Sequence, residues 1–378
     1  MMRLTSRSFS VLFLLFLETR RGVALSSVEV PPFRIGARPS RLAQIQAQAV
    51  LQELSKNHGV EASIVKIQAD GDHVNPTKAG IQTVPLAARS ADFTGALDDA
   101  LLSHDIDIAV HSLKDIPPTA RWNPQLTIAG HLKRQDPRDV LVGPYPSIQS
   151  LPQRAKVGTS SARRQAQLRA MRPDLELQNV RGNVETRLRS LKQPTQNNYD
   201  ADNDDQSVDA LILAQSGLNR LLKNDNIIAW IDEPSSKESV GNWHRPVSTD
   251  EMLSGACQGI VAVVCRANDA ATTEWIQPIN DVDSAIAAAA ERAFLDTLDS
   301  FSPWVGRPPL ASLMERERRE KEHSWVFQGL LARPDGAKVI RRVERCTMTE
   351  STSEEVARGV GQSVAEQILE EAGPDFYK

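Results

Sequence analysis

Several arginines stand at positions where their charge is unfavourable unless an anion is bound. In SSARR, Ser160 or Ser161 caps a predicted helix, and two arginines follow in its first turn. A helix amino terminus already has partial positive charge, so a carboxylate or phosphate is expected between these groups. Any single arginine could instead pair with an acidic neighbour, but arginines at two helix starts favour carboxylate recognition, which suits the guanidinium fork. They are Arg163 and Arg164 in SSARR, Arg181 and Arg187 in RGNVETR, and Arg38 after the first predicted strand.

The motif HSLKDIPP is the second candidate for chemistry. His111, Ser112, Lys114 and Asp115 follow the apolar run 106–110, which is typical of a buried parallel strand. Ligands of open α/β sheets bind at the carboxyl ends of such strands, so we expect these side chains in a cleft. An acid beside a lysine there can move protons or stabilise a developing cation. A structural Lys-Asp pair in a turn closed by two prolines is the alternative.

Alternating strands and helices position both motifs. The first unit is predicted to have the strands FRIGAR, VEASIVKIQ and IDIAVHSLKD, helices over 43–54 (capped by Ser40) and 93–101, and an irregular stretch at 71–92. The second has the strands AKVGTS, LELQNV and DALILA, with helices after Ser161, from Asn183 and over SGLNRLL. A polar, acidic loop is predicted at 193–207. This alternation predicts an α/β fold with two lobes.

The chain changes character after IVAVVCR, which predicts one more buried strand. A helix over 283–298, a hairpin of SWVFQGLLA and AKVIRRVER, and a last helix from about Thr352 to 372 predict a small α+β domain. Thr352 and Glu355 can form a capping box at the start of that last helix.

Composition excludes several classes of protein. The chain of 378 residues is long for a single domain, and its formal net charge of −4 provides no broad basic surface for nucleic acid. Cys257, Cys265 and Cys346 are too few for a disulfide framework, and no Cys or His spacing indicates a metal site. The usual motifs of nucleotide-dependent and acyl-transfer enzymes are missing. We therefore expect a reduced, soluble protein without a metal.

The amino terminus has the layout of a targeting signal. Arg3 and Arg7 precede the apolar run 11–17, and small residues follow at 23–26. The run has seven residues, whereas a membrane span needs roughly twenty. The sequence predicts a signal segment over 1–30 and a mature start between Ser26 and Phe33.

Six sequence blocks resemble the porphobilinogen deaminase (hydroxymethylbilane synthase) family, in the order that this family has. The resemblance spans about residues 34–372 and implies two lobes like type II periplasmic binding proteins, a cleft between them and a third domain. It also implies the head-to-tail condensation of four porphobilinogen molecules with loss of ammonia, on a covalent dipyrromethane cofactor. The blocks are RIGARPSRLAQIQA, FTGALDDALLSHDIDIAVHSLKDIPP, RQDPRDVLVG, VGTSSARRQAQLRAMRPDLELQNVRGNVETRL, DALILAQSGLNRL and ERAFLDTL.

The resemblance assigns roles to individual residues. Asp115 matches the catalytic aspartate, whose carboxylate would assist loss of ammonia and stabilise the cationic azafulvene and pyrrolenine intermediates. Other matching positions are expected to hold the acetate and propionate groups of substrate and cofactor. These are Arg38, Ser40, Ser112, Lys114, Thr159, Ser161, Arg163, Arg164, Arg181, Arg187, Gly217 and Gln258.

Three departures from the family pattern concern the cofactor and a loop. The family attaches its primer to a cysteine in a GGC segment, but DSFSPWVG stands here and Ser302 takes roughly that place. A hydroxyl is a much weaker nucleophile than a thiolate. Cys257 replaces the first glycine of GQG and is a second attachment candidate, although a small packing residue is the alternative. An error in the gene model around Ser302 would be a third explanation. Lysines of the loop before the second helix are also missing, and Arg89 is the positive charge nearby.

These observations give one leading hypothesis and one alternative. The first is a hydroxymethylbilane synthase of tetrapyrrole synthesis, acting as a monomer in a plastid, or outside the cell if the leader is a secretion signal. The second is a relative without turnover that binds porphobilinogen or an oligopyrrole through the same arginines. The predicted domains are 33–132 with 259–278, then 133–255, and 281–378.

Overall fold

The computed structural model describes residues 33–58, 61–68, 86–191, 207–224, 243–300, 308–317, 324–348 and 353–376. For residues 86–93 and 224 it describes the backbone alone. Several predictions therefore lie outside the described residues: the targeting segment, the irregular stretch before Leu86, most of the acidic loop, the Arg89 side chain, the Thr352 cap and Ser302.

The first sheet has five strands, and the HSLKD motif lies at the carboxyl end of its third strand along the chain. Its order is β2-β1-β3-β10-β4, with β1 parallel to β2 and β3, and β10 antiparallel to β3 and β4. The apolar side of α1 (Ala43, Ala47, Val50 and Leu54) is buried against the sheet, as its spacing predicts. The elements are β1 (Phe33–Ala37), α1 (Arg41–His58), β2 (Ala62–Lys66), α2 (Leu86–Leu102), β3 (Ile108–Ser112), β4 (Leu126–His131) and β10 (Val261–Arg266).

The second sheet repeats this arrangement. Its order is β7-β6-β8-β5-β9, with β6 parallel to β7 and β8, and β5 antiparallel to β8 and β9. The chain crosses from the first sheet into β5 and returns through β10, so each sheet includes one antiparallel strand next to such a crossing. The elements are β5 (Asp139–Val142), β6 (Lys156–Gly158), α3 (Ala162–Met171), β7 (Glu176–Gln178), α4 (Val184–Leu188), β8 (Ala210–Ala214), α5 (Gln215–Asn224) and β9 (His244–Pro246).

A three-stranded antiparallel sheet packs against two long helices near the carboxyl end. The helices lie close together because Gly361 has no side chain: a Cβ there would be 2.0 Å from the carbonyl oxygen of Ala290. The elements are α7 (Val282–Ser300), β11 (Leu310–Arg316), β12 (Ser324–Ala332), β13 (Val339–Thr347) and α8 (Ser353–Ala372). The short helix α6 (Ala270–Ile276) precedes them and packs against β4 and β10 of the first sheet.

The predicted α/β fold class with a third α+β unit is confirmed, and several element bounds are corrected. Helix α2 begins at Leu86, so the prediction that 86–92 is irregular was wrong. Strands β4, β5, β9 and β11 were not predicted. Since Phe33–Lys378 forms one compact unit, the proposed domain boundaries stay a prediction. Within the described ranges, no helix is both long and apolar enough to cross a bilayer.

Candidate active site

The carboxyl ends of β1 and β3 form the edge of the candidate site. Pairing of Gly36 with Ala109 places the residues after both strands side by side. A cavity of about 400 Å³, its open mouth included, lies at this edge. Its lining brings together predicted site residues from two motifs, namely Arg38, Ser40, Ser112 and Asp115.

Gln46 belongs to this cavity and was missed in the sequence. Its side-chain amide donates a hydrogen bond of 2.8 Å to the hydroxyl of Ser112, and it is 3% exposed. The sequence did contain a sign of its role, because Gln46 is a polar residue on the apolar side of α1, directly before Ala47 and four residues before Val50. A buried polar residue on such a side needs a partner.

Asp115 ends a 3-10 turn, Leu113–Asp115, that follows β3 directly. Leu113 and Ile116 are buried on either side and fix the turn, and the Leu113 N–H donates to the carbonyl of Ile260. Asp115 is itself half-buried. Among the described residues, no group donates a hydrogen bond to its carboxylate. The carboxylate is therefore available to a ligand.

Lys114 lies in the same turn and is exposed. The walls around it partly remove water, and this desolvation lowers the pKa of its ammonium to about 8. Asp115 opposes the shift, and Arg164 and Arg163 reinforce it. These couplings place Lys114 within electrostatic reach of both motifs that the sequence singled out.

Arg163 and Arg164 contact an anion, as predicted, but this anion is a carboxylate of the protein itself. Both donate to the carboxylate of Asp139 at the start of β5, with shortest distances of 2.7 and 2.8 Å. They also donate to the backbone carbonyls of Leu253 and Ile212. Asp139 resolves the charge conflict at the start of α3, so direct contact of these two arginines with substrate stays a prediction. Asp139 itself was not singled out in the sequence.

Gln258 completes what we call the Asp139 cluster, defined as Asp139, Arg163, Arg164 and Gln258. Its side-chain amide donates to Asp139 (2.9 Å) and to the carbonyl of Pro137 (2.8 Å), and it is 1% exposed. Gln258 precedes β10, so the cluster joins both crossings between the sheets. The structure thus places Gln258 as a buried connector beside the cleft.

The serines and threonine of GTSS form the start of α3. Ser161 caps the helix by accepting from the Arg164 N–H, as predicted, whereas the Ser160 hydroxyl donates to the carbonyl of Val180. Thr159 is 2% exposed, and its hydroxyl accepts from the Ser161 N–H. These contacts fix the turn between β6 and α3, and the bond to Val180 connects this turn to the loop that contains Arg181.

Arg181 and Arg187 flank the short helix α4, which Asn183 caps as predicted. Arg181 is exposed, whereas Arg187 is half-buried and donates to the carbonyl of Gly182. Desolvation and Arg164 lower the pKa of Arg187 to about 10, and Asp115 opposes the shift. Arg187 therefore lies within electrostatic reach of the candidate catalytic acid.

Helix α5 adds one predicted residue and one that was missed. A Cβ on Gly217 would contact Leu42 of α1 at 3.6 Å, which places Gly217 where the two sheets' helices meet. Arg220 is 8% exposed and donates to the carbonyl of Gly259, and burial lowers its pKa to about 10. In the sequence, the only sign that Arg220 is buried was its position between the apolar residues Leu218 and Leu221, which are both buried.

His111 is a buried histidine at the same sheet edge. Its Nε2 has no hydrogen-bond partner among the described residues, and burial, with Arg38, lowers its pKa to about 4. A neutral imidazole here adds no charge to the arginine-rich edge.

The three cysteines lie in packed positions. Burial raises the pKa of the Cys257 thiol to about 12, and the residue is 1% exposed within the hydrophobic core. Its φ of +60° is a conformation that favours glycine, and its N–H donates to Glu291. Cys265 is buried in β10, and Cys346 is half-buried in β13. The structure therefore favours packing over primer attachment for Cys257.

Replacing Cys257 by glycine tests this conclusion. We expect Cys257→Gly to keep the activity that the motif resemblance implies within about twofold of the parent, because glycine suits the positive φ and the buried thiol is 1% exposed. Steady-state rates and intact mass would be measured for both proteins. A variant that lost a pyrrole adduct present on the parent would contradict the packing role.

The described side chains show no grouping of three or more His, Cys, Asp or Glu residues that could hold a metal ion. The described part of the site is instead rich in arginine, and its Asp115 carboxylate accepts no hydrogen bond from a described residue.

Comparison with known proteins gives the family. A family model described as porphobilinogen deaminase, dipyromethane cofactor binding domain, matches residues 33–274. Porphobilinogen deaminase of Paracoccus denitrificans is 36% identical over 355 residues, which cover 92% of this chain and 96% of that protein. The chloroplastic porphobilinogen deaminase of Pisum sativum is 34% identical over 354 residues, covering 91% and 83%. The chloroplastic protein of Oryza sativa is 33% identical over 365 residues, covering 94% and 88%. The chain belongs to the porphobilinogen deaminase family.

Proposed function

We propose that this chain is a hydroxymethylbilane synthase, which joins four porphobilinogen molecules head to tail and releases ammonia at each step. The single observation that supports this most is Asp115: an available carboxylate beside Lys114, at a sheet edge surrounded by arginines. The motif resemblance and this geometry both support Asp115 as the reacting carboxylate.

Asp115 acts where positive charge develops. When the protonated amino group of the aminomethyl substituent leaves as ammonia, the methylene carbon stays on the pyrrole as a cation, and a nearby carboxylate stabilises that cation. The reaction also needs a proton on the departing nitrogen, and Lys114, with its lowered pKa, can exchange protons near neutral pH. Both groups come from one short turn, so their separation is fixed by the backbone.

The cations recognise the acetate and propionate groups of the substrate. Arg38 lines the cavity, where Ser40 and Ser112 add hydroxyl groups. Arg187 lies within electrostatic reach of Asp115, and the exposed Arg181 precedes the same short helix and is proposed to act with it. The Asp139 cluster holds α3 in place and leaves Arg163 and Arg164 few uncommitted donors. These two arginines act mainly as positioning residues in this proposal.

The same cationic set fits the dipyrromethane cofactor, whose pyrroles bear the same carboxylates. When bound, the cofactor supplies the primer on which the product is built. Arg38, Arg187 and Lys114 would hold its charged groups. In this proposal the primer is not attached to a cysteine, which the burial of Cys257 and Cys265 and the partial burial of Cys346 support. Ser302 lies outside the described residues and is the remaining candidate of the two that we predicted.

Intact mass tests this function and locates the primer. Protein begun near Ser26 is weighed after denaturation, before and after incubation with porphobilinogen, and any adduct is mapped. We expect covalent additions in steps of one pyrrole unit, as the growing chain requires. Mapping to Ser302 would support that candidate, and mapping to Cys257 would overturn the packing argument. A mass that never changes, with no hydroxymethylbilane formed when primer is supplied, would indicate a binding protein instead.

Substrate affinity should depend on the charge of Lys114. Because its pKa is lowered to about 8, the fraction of cationic Lys114 falls as the pH rises from 7 to 9. We expect the KM for porphobilinogen to rise severalfold over that interval. Lys114→Arg, whose guanidinium stays charged, should remove this rise. Identical pH profiles of KM for the two proteins would contradict the assignment.

The plastid location is proposed from the leader and from two relatives whose names include the word chloroplastic. A fluorescent protein fused after residues 1–34 should collect in the plastid. Fluorescence in the medium would favour secretion, and cytosolic fluorescence would end the targeting proposal.

The domain bounds 33–132 with 259–278, 133–255 and 281–378 are part of this proposal, as is a monomeric state. The exchange of β5 and β10 between the two sheets supports bounds near these crossings. Light scattering on the purified protein would test the monomer, and a dimer mass would contradict it.

A further inference from the structure

The segment after the HSLKD turn is held by one side of helix α7. The Arg292 guanidinium donates to the carbonyl of Pro117 at 3.0 Å. The Asp296 carboxylate accepts from the Thr119 N–H and from the Thr119 hydroxyl, both at 2.7 Å. Arg292 and Asp296 are four residues apart, so they lie on one side of the helix. Neither was singled out in the sequence.

Asp296 makes the stronger of these contacts. A carboxylate that accepts two short hydrogen bonds from one residue fixes both its backbone and its side chain. The Thr119 N–H is the first of the 3-10 turn Thr119–Arg121, which has no side-chain cap of its own from Pro118. Asp296 therefore supplies this cap from a helix more than 170 residues further along the chain.

A third pair on the same side of α7 is weaker. Arg121 pairs with Asp299 at 2.8 Å, but the arginine side chain is 45% exposed. Exposed pairs of this kind contribute little to stability. The argument therefore rests on Asp296.

The connection from Thr119 back to Asp115 is short and stiff. Only Ile116, Pro117 and Pro118 separate them, Ile116 is 2% exposed, and each proline ring fixes its own φ. A displacement of Thr119 is thus passed to the turn that ends in Asp115. The Asp115 carboxylate receives no hydrogen bond from the described residues, so its position depends on this backbone.

We propose that Asp296 is a positioning residue for the reaction: by capping the turn at Thr119 it fixes the backbone that places the Asp115 carboxylate. This inference rests on the proposed function of Asp115. It gives the third, α+β unit a positioning part in the reaction, through a hydrogen bond to the segment after Asp115 rather than through a group that touches substrate.

Two replacements of Asp296 separate hydrogen bonding from charge. Asp296→Ala removes both acceptors. Asp296→Asn keeps one acceptor for the Thr119 N–H and presents an amide that can donate to the rotated hydroxyl. Asp283→Ala is the matched control, because it removes an exposed ion pair from the same helix, far from the turn.

We expect Asp296→Ala to lower kcat about tenfold, with KM within about twofold and the melting temperature nearly unchanged, since a misplaced catalytic group slows chemistry. Asp296→Asn should recover most of kcat, and Asp283→Ala should match the parent. Amide hydrogen exchange of residues 113–121 should become faster only in Asp296→Ala.

The proposal would be overturned if Asp296→Ala changed neither kcat nor the hydrogen exchange of residues 113–121. It would also be overturned if kcat fell only in proportion to the fraction of folded protein, or if Asp296→Asn did not restore the lost kcat. If the parent itself forms no hydroxymethylbilane, the proposed function has failed. Exchange of residues 113–121 then still decides whether Asp296 fixes the turn.

Discussion

Asp115→Ala should lower the rate of hydroxymethylbilane formation by about a hundredfold to a thousandfold while the protein stays folded. The carboxylate lies at the sheet edge where cation formation is proposed, and losing one charge-stabilising group typically costs this much in rate. It accepts no hydrogen bond from a described residue, so its removal leaves no buried donor without a partner. Product formation and porphobilinogen binding would both be measured, and binding should remain.

Asp99→Ala is the matched control for this experiment. Asp99 is an exposed carboxylate on α2, so its removal should change neither rate nor stability. Asp115→Glu keeps the charge but moves it by one methylene, and an intermediate rate is expected. Parent-like turnover of Asp115→Ala would remove Asp115 from the mechanism.

Asp139→Ala should produce the largest loss of stability, about 3 to 5 kcal/mol, because it leaves two buried guanidinium groups without their carboxylate. Asp139 is fully buried, and Arg163 and Arg164 are less than 10% exposed. Burial alone would raise the pKa of this carboxyl, but the two arginines outweigh it and hold the pKa well below its usual range. Urea unfolding of parent and variant gives the difference directly.

The pH dependence of this stability follows from the direction of the pKa shift. A carboxyl whose folded pKa is lowered contributes fully above the unfolded pKa of about 4, and that contribution is lost as the pH falls further. The stability gap between parent and Asp139→Ala should therefore narrow under acid. Glu176→Ala removes the exposed Arg154–Glu176 pair and should cost less than about 1 kcal/mol. Equal losses in the two variants would contradict the buried role of Asp139.

Local patterns were sufficient to predict most elements. Helix α1 was predicted from Ala43, Ala47, Val50 and Leu54 because its apolar spacing matches the helical period. The start of α2 at Leu86 was missed because its alanines favour a helix, but apolar residues there do not recur at the spacing of a helix. Short strands such as β5 and β9 have only four and three residues, too few for a clear period.

The candidate site was only partly predictable for a different reason. Asp115 and the arginines stand in recognisable local motifs, whereas the partners of these residues come from distant segments. Asp139 lies 24 residues before Arg163, and Asp296 lies 177 residues after Thr119. Residue spacing within one helix or strand cannot reveal such pairs. The two arginines in the first turn of α3 therefore indicated that an anion is bound there, but they did not indicate whether it comes from a ligand or from the protein itself.

The ratio of ammonia released to porphobilinogen consumed, with hydroxymethylbilane quantified in the same reaction, tests the central claim most directly. The proposed function predicts one ammonia for each porphobilinogen and one hydroxymethylbilane for every four. Porphobilinogen that binds tightly to the purified protein but is recovered unchanged, with no ammonia released, would contradict it and leave a carboxylate-binding relative of this enzyme family.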